Sequence, residues 1–232
     1  MCGRATVTSG DGTDELGYGL RYLTSLQHFA PKYNIRPTDQ IPIIRDRRPQ
    51  DDDPGGRELT TLRWWLIPWW TREPSKLPLF NARAESLADK PAFRDPFRER
   101  RCLIVVDGFY EWPKKPSKDR NPRWLHYADR RLITLAGLWD RWRDERTGIR
   151  VESCTIVTTK ANGLLSAVPH DRMPVILDGD ARDRWLDLEE SRPEMLQELL
   201  LSSEIEGLVS EVVSSEYVNH GVDDERCIQP IE

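Results

Sequence analysis

The chain has 232 residues, of which 38% are hydrophobic, and its 34 basic and 39 acidic side chains give a net charge of −5. This composition is enough for the packed core of one large domain, and the negative balance excludes a protein that coats nucleic acid with its whole surface. No stretch reaches the roughly 20 apolar residues of a transmembrane helix and the N-terminus lacks the apolar segment of a secretory signal, so we expect no membrane contact and a cytoplasmic, or in bacteria nucleoid-associated, location.

The placement of charges and cysteines narrows the kinds of site further. Residues 181–232 carry 4 basic and 14 acidic side chains, whereas residues 1–180 carry 30 and 25, so a polyanion site should lie in the first 180 residues. The four cysteines are far apart and show no CxxC or CxxxxH spacing. The sequence therefore predicts no disulfide framework, no metal site and no cofactor.

The first part of the chain is predicted to contain one helix followed mainly by strands. Leucines at helical spacing from Leu16 to Leu26 follow Thr13, a suitable cap, and predict an amphipathic helix that ends before Pro31. Two strands are predicted on either side of a DDDPGG turn, as in a hairpin. The predicted strands cover residues 41–46, 58–65, 102–106, 124–128, 132–138, 153–158 and 174–177.

After Gly179 the pattern changes to helices. One helix is predicted through Trp185 and Leu188, a second begins at Pro193, and a last strand covers residues 208–213. Short strands with few helical crossovers favour antiparallel pairing. No repeat, low-complexity tract or linker divides the chain. We therefore predict a single α+β domain over residues 1–232.

The N-terminal segment MCGR contains the most distinctive chemistry of the sequence. The small side chain of Cys2 permits removal of the initiator methionine, which leaves a free α-amine beside a thiol. With a pKa of about 7.7–8.0, such an amine is partly neutral at physiological pH and can attack an aldehyde to form a Schiff base. The thiol can then close a five-membered thiazolidine. Taken alone, however, a cysteine at position 2 is more often an accident of a frayed terminus.

A carboxyl group and an imidazole are candidates for proton transfer beside this centre. Glu111, in DGFYEW, follows the strand at residues 104–106 and lies among aromatics that could desolvate it and raise its pKa, although a solvated glutamate is the commoner case. His170, in SAVPHDRMPV, has a backbone constrained by two prolines and suits general acid–base catalysis. Its alternative is a loop histidine hydrogen-bonded to Asp171.

Arginines and tryptophans are candidate contacts for nucleic acid. Arg4, Arg83 and Arg172 each lie beside a candidate reactive segment, and guanidinium groups suit phosphate oxygens. Trp69 and Trp70, in IPWW, are flanked by proline and by polar residues and are hard to bury together, so they could stack on bases. Individually, such arginines are more often solvated surface and such tryptophans more often core.

Together these segments resemble one family, the SOS response-associated peptidase (SRAP) proteins, which sense abasic sites in single-stranded DNA. In the family's order and over essentially the whole chain, the matching pieces are MCGR, YNIRP, IPWW, NARAES, DGFYEW, AGLW, TIVTTKAN, PHDRMPVIL and CIQPI. No single piece is specific, but the set is. The resemblance implies a curved, mainly antiparallel sheet, shaped as a partly open barrel with flanking helices.

The resemblance also implies roles for individual residues. Cys2 is similar to the family's crosslinking nucleophile, Asn81 of NARAES to its site asparagine, Glu111 to its catalytic carboxylate and His170 to its histidine. The partner implied is single-stranded DNA with an abasic site, and we expect a monomer to bind it. The positions that match family DNA contacts are Arg4, Asn34, Pro37, Trp69, Trp70, Arg83, Thr158 and Arg172. The long DDDPGG loop and the acidic C-terminal region depart from the family pattern, so the preference for DNA ends or junctions could differ.

The leading hypothesis is a covalent sensor of abasic sites. The Cys2 amine would attack C1′ of the ring-opened deoxyribose, Glu111 and His170 would move protons, and Asn81 would hold the reactants in register. Thiazolidine closure would shield the lesion, and β-elimination from the Schiff base would give lyase activity. Two alternatives stay open. One is a cysteine-dependent peptidase or autoprocessing hydrolase in which His170 activates the Cys2 thiol, and the other is a module that binds single strands non-covalently.

Overall fold

A computed structural model describes residues 2–8, 29–49, 55–74, 77–113, 121–161, 171–201 and 206–231. Within these ranges the strands are β1 Ala5–Val7, β2 Lys32–Ile35, β3 Gln40–Arg47, β4 Gly56–Trp64, β5 Asn81–Arg83, β6 Arg101–Val106, β7 Gly108–Glu111, β8 Arg123–Tyr127, β9 Ile133–Arg143, β10 Arg150–Lys160, β11 Arg172–Pro174 and β12 Leu208–Val212. The helices are α1 Pro91–Glu99, α2 Asp180–Leu186, α3 Pro193–Glu198 and α4 Ser215–Asn219. Short 3-10 turns cover Ala84–Ser86 and Glu225–Ile228.

The strands form two sheets, one of which closes on itself. The larger sheet runs β11-β10-β4-β3-β6-β9, and β9 also pairs with β10, so five of its strands complete a ring. The short strand β5 extends the line of β4 along the same edge of β10. The second sheet runs β12-β8-β7-β1-β2 and carries the N-terminal strand in its interior, between β7 and β2. A closed ring leaves few exposed strand edges.

Strand β6 shows why the barrel and its helices fit this sequence. Its run RCLIVV is buried at every position. Because side chains alternate between faces, Cys102, Ile104 and Val106 join a cluster that also contains Cys2, whereas Leu103 and Val105 pack in a second cluster with residues of the helices. A continuous apolar run is thus required, since both faces of the strand are covered.

Most of the strand predictions are confirmed, with different ends. The fold is the predicted α+β arrangement with a mainly antiparallel, partly closed sheet, and the hairpin around DDDPGG is the β3–β4 pair. Strands β9 and β10 are longer than predicted, and the strand predicted at residues 174–177 is shifted to β11, followed by an isolated bridge between Leu135 and Ile176. The predicted helix over residues 16–26 lies outside the described residues.

The predicted, mainly antiparallel sheet also contains parallel pairs, which join β10 to β4 and to β5. Two other predictions were wrong in detail. The helix after Gly179 ends at Leu186, before Leu188, where Asp187 adopts an extended conformation. Glu111 does not directly follow β6. It is the last residue of a separate strand, β7, which begins after Asp107 and belongs to the other sheet.

Two further observations concern the cysteines and the helices. All four cysteines are buried and none forms a disulfide. Among the helices in the described ranges, none is both long and apolar enough to cross a bilayer.

Candidate active site

The pairing of β1 with β7 brings the N-terminus beside Glu111. Ala5 lies opposite Phe109, and the backbone N–H of Tyr110 donates to the carbonyl oxygen of Arg4 at 3.0 Å. Continuing this antiparallel register places Gly3 opposite Glu111. Cys2 is fully buried and packs in the cluster inside the barrel. The reactive residue predicted from the sequence is therefore buried just before β1 and does not lie on a frayed terminus.

Asn81 lies against the same residue. Its Nδ2 donates a hydrogen bond to the carbonyl oxygen of Cys2 at 2.7 Å, and its backbone is fixed by the pairing of β5 with Ile156 of β10. Its other side-chain atom, Oδ1, is buried and accepts no hydrogen bond from the part of the chain that the structure describes. A buried acceptor without a donor is costly, so this oxygen is suited to an N–H or O–H that arrives with a substrate or with a freed α-amine.

Glu111 has the electrostatic character of a proton-transfer group. Its side chain is 1% exposed, and burial raises its pKa to about 7, although the positive charge of the chain's amino terminus acts in the opposite direction. A carboxyl group with a pKa near neutrality is populated in both protonation states under physiological conditions. The desolvation that the aromatic surroundings predicted is therefore confirmed.

The thiol of Cys2 is held in its neutral form. Burial and, next, the charge of Glu111 raise its pKa far above the ordinary value, and Sγ points to the carbonyl oxygen of Arg4 at 3.7 Å. Because the thiolate is the strong nucleophile of cysteine, a thiol with a raised pKa is poorly suited to make the first attack. The local electrostatics thus disfavour the Cys2 thiol as a first nucleophile.

Asp107 is a residue of this site that the sequence analysis missed. Its carboxylate accepts hydrogen bonds from the side chain of Thr6 and from both the backbone N–H and the hydroxyl of Thr8, the last at 2.6 Å. Next to it, a Cβ on Gly108 would lie 2.2 Å from Nε1 of Trp124, so only glycine fits there. The position of an acidic residue between two apolar runs was the available signal. These contacts fix β1 and, through it, Cys2.

We expect Asp107→Asn to loosen the N-terminal strand. An asparagine can offer one acceptor where the carboxylate serves three donors, so buried donors lose their partners at about 1–3 kcal/mol each. Thermal unfolding should show a lower midpoint, and hydrogen exchange of the Thr8 amide should become faster. Asp129→Asn, in an exposed turn, is the control and should change neither quantity. Unchanged exchange at Thr8 in the first variant would contradict this anchoring role.

A cluster of cationic side chains lies along the strands that hold Asn81. Arg83, two residues further along β5, is exposed and lies opposite Thr158 of β10. Thr158 is buried and its hydroxyl donates to the carbonyl oxygen of Ala82 at 3.2 Å. Arg172 of β11 donates to the carbonyl oxygen of Thr158 and forms a two-point ion pair with Glu85. The structure thus brings three of the predicted DNA contacts together.

The predicted contacts near β2 differ in character. Arg4 is half-buried, its Nη1 donates to the carbonyl oxygen of Gly3 at 3.0 Å, and burial and the charge of Arg36 lower its pKa. Pro37, which follows β2, is partly exposed. The amide of Asn34 is buried and donates to carbonyl oxygens of the C-terminal segment, at Val218 and Val222. Asn34 therefore ties that segment to β2, and its contact with DNA stays a prediction.

Trp69 and Trp70 lie on a turn that hydrogen bonds connect to β9. They are 56% and 50% exposed, as expected from the difficulty of burying the pair. The backbone N–H of Trp69 donates to the carboxylate of Asp140 at 3.0 Å. The indole N–H of Trp142 donates to the carbonyl oxygen of Thr71 at 2.6 Å. Asp140 pairs with Ser153 on one edge of β10, and Asn81 pairs with Ile156 on the other edge. The two residues are therefore offset by roughly 10 Å along the direction of β10. His170 lies outside the described residues.

Comparisons with known proteins identify the family of this chain. The family model described as SOS response associated peptidase (SRAP) matches residues 1–220. The chain is 36% identical over 218 residues to the abasic site processing protein YoaM of Bacillus subtilis, with 93% of this chain and 92% of that protein covered. It is 31% identical to the abasic site processing protein HMCES of Gallus gallus, covering 88% of this chain and 67% of that protein.

The solved structures give the same result at the level of fold. A protein from Bacteroides thetaiotaomicron superposes with a TM-score of 0.85 over 100% of both chains at 24% identity. A protein from Bordetella bronchiseptica superposes with a TM-score of 0.71 at 27% identity, over 92% of this chain and 100% of that one. The family match over most of the chain and the shared fold agree with each other. This chain belongs to the SRAP family.

Proposed function

We propose that this protein forms a covalent crosslink between Cys2 and an abasic site in single-stranded DNA. The observation that carries the proposal is the buried assembly of Cys2, Asn81 and Glu111, in which the residue that becomes the N-terminus after loss of Met1 lies beside a carboxyl group of pKa about 7. Relatives of this chain are named abasic site processing proteins, which supports the choice of substrate.

The chemistry follows in two bond-forming steps. The neutral α-amine of Cys2 adds to the C1′ aldehyde of the ring-opened deoxyribose, and the resulting carbinolamine loses water to give an imine. The thiol then adds across the C=N bond: sulfur bonds to C1′, the thiol proton moves to nitrogen, and a thiazolidine results. The net change is the loss of one water. In this proposal Glu111 donates the proton that the departing water needs. The buried Oδ1 of Asn81, whose Nδ2 already binds the Cys2 carbonyl, accepts an N–H of the amine.

The alternative of a cysteine hydrolase is less compatible with this site. A hydrolase of that kind needs a thiolate as its first nucleophile, whereas burial and Glu111 raise the pKa of the Cys2 thiol. Crosslink formation uses the thiol last, against a carbon already activated as an imine, and tolerates a neutral thiol. A lyase activity would require that the imine persist long enough for β-elimination, so rapid closure by the nearby thiol opposes it.

A labelled single-stranded oligonucleotide with one abasic site tests the proposal. We expect a slowly migrating species on a denaturing gel with the abasic strand and none with an undamaged strand of the same sequence. Cys2→Ala should leave no species that survives denaturation. Cys227→Ala, which removes a buried thiol from a different cluster, should behave as the unaltered protein. Equal capture of both strands would favour a non-covalent or non-selective mode of binding and would count against the proposal.

A further inference from the structure

Arg172 already binds an anion in the structure. Its Nη1 and Nη2 donate to the two carboxylate oxygens of Glu85 at 2.7 and 2.8 Å. A guanidinium group binds two oxygens of a phosphate in the same forked geometry. Glu85 therefore occupies the place that a DNA phosphate needs if it is to contact this edge of Arg172.

The guanidinium is fixed independently of Glu85. Nη2 of Arg172 also donates to the carbonyl oxygen of Thr158, and only 14% of the arginine side chain is exposed. Glu85, by contrast, is 47% exposed and lies in the short turn after β5. The carboxylate can thus rotate into solvent while the arginine stays in place.

The surroundings of Glu85 are cationic. Hydrogen bonds from Arg172 hold the pKa of Glu85 below its usual range, and the charge of Lys160 acts in the same direction. Arg83 lies across from Thr158 on the adjacent strand. Lys160, in turn, lies opposite Arg172 in the β10–β11 pairing. The charges of Arg172 and Lys160 thus both act on this carboxylate, and Arg83 precedes it by two residues in the chain. This is the composition of a phosphate site that already holds an anion.

We propose that Glu85 is a resident competitor for the backbone phosphate that binds at Arg83, Lys160 and Arg172. This inference rests on the proposed function for the identity of the ligand, single-stranded DNA. When a phosphate displaces Glu85, Arg172 exchanges its ion pair with the carboxylate for a contact with the phosphate. The exchange therefore adds little to the non-covalent affinity for DNA. Lasting retention on a strand then depends on the covalent step at Cys2, and undamaged strands are released.

Glu85→Gln tests this by removing the charge at nearly constant shape. With an undamaged labelled oligonucleotide, fluorescence anisotropy should show binding roughly three- to tenfold tighter at low salt. The salt dependence should also change. In the unaltered protein the phosphate releases a counterion when it binds, but the displaced Glu85 carboxylate takes one up, so this contact adds little to the salt dependence. In the variant no carboxylate is displaced, and the slope of log Kd against log salt should become steeper by about 0.7, the value for one phosphate of a single strand.

Asp89→Asn is the matched control, because Asp89 is an exposed carboxylate only four residues away. It should give a much smaller change in Kd and no change in slope. In an Arg172→Gln background, Glu85→Gln should lose its effect. Weaker binding by Glu85→Gln would show that Glu85 positions Arg172 and would overturn the proposal, as would an effect equal to that of Asp89→Asn. A thermal unfolding midpoint close to that of the unaltered protein establishes that the variant folds.

This experiment uses undamaged DNA, so its outcome does not depend on crosslinking. If the unaltered protein fails to crosslink abasic DNA but Glu85→Gln still tightens binding with the steeper slope, the proposed covalent function fails and the competitor role stands. If crosslinking occurs and the slope does not change, the competitor role fails alone.

Discussion

Glu111→Gln is expected to slow crosslinking to abasic single-stranded DNA by about 10²–10⁴-fold, the usual contribution of a positioned general acid or base. Glutamine keeps the shape of the side chain but cannot donate the proton that the departing water requires. The measurement is the rate of adduct formation at saturating protein with the abasic oligonucleotide. Binding of an undamaged strand should change little, because the buried carboxyl group is not a cationic contact.

The proposed role of Glu111 also predicts how the crosslinking rate changes with pH. Glu111 is protonated below its pKa of about 7 and loses the required proton above it. The Cys2 amine has an ordinary pKa of about 7.7–8.0 and becomes reactive as the pH rises, because only its neutral form attacks the aldehyde. The rate of the unaltered protein should therefore rise and then fall, with its maximum between these two values. In Glu111→Gln the fall at high pH should disappear.

Stability distinguishes a chemical role from simple damage to the fold. A carboxyl group whose pKa is raised by folding favours the folded state below its unfolded value of 4.5, and this contribution is lost as the pH rises through about 7. Glu111→Gln should therefore unfold at an equal or higher temperature than the unaltered protein at pH 8. Glu211→Gln, on β12, is a control that should keep the rate and its pH profile. A Glu111→Gln protein with an unaltered rate would remove Glu111 from the mechanism.

Cys2→Ser separates the two bond-forming steps. Serine keeps the α-amine but replaces the thiol with a hydroxyl group, which adds less readily to an imine. We expect the adduct that survives denaturation to fall by more than tenfold, whereas borohydride added during the reaction should still trap the imine. With the thiol absent, the imine persists longer, so strand cleavage by β-elimination should increase. Both products are read from one denaturing gel.

Cys2→Ala is the matched control for this experiment and should behave in the same way, since it too keeps the amine and lacks a group that closes the ring. A stable adduct of Cys2→Ser in the amount given by the unaltered protein would show that ring closure by the thiol is unnecessary. Loss of the borohydride-trapped product in both variants would indicate instead that the thiol makes the first attack, as in the cysteine hydrolase mechanism.

Local patterns predicted the parts of the fold and site that depend on neighbours in sequence. Alternating or continuous apolar runs indicated strands such as β3 and β6, and the flanking residues of Trp69 and Trp70 indicated their exposure. The aromatic surroundings of Glu111 indicated a raised pKa, which burial produces.

Features that depend on distant parts of the chain could not be derived in this way. The hydrogen bond from Asn81 to Cys2 joins residues 79 positions apart, and only the family resemblance pointed to Asn81. The parallel pairings of β10 follow from closure of the barrel and have no local signal. Asp107 has the sequence context of an ordinary turn residue, although its partners Thr6 and Thr8 are about 100 positions away. The roles of Asn81 and Asp107 are seen only from their contacts in the folded protein and not from their spacing in the sequence.

The central claim concerns a single atom, the nitrogen of Cys2, and intact mass spectrometry tests it most directly. Protein whose Met1 has been removed, mixed with an abasic single-stranded oligonucleotide, should give a species with the summed mass of protein and DNA less one water, and fragmentation should place the modification on Cys2. Protein that keeps Met1 has an amide at this nitrogen and should give none. A dehydrated adduct on the Met1-containing protein, or one located on another residue, would contradict the account.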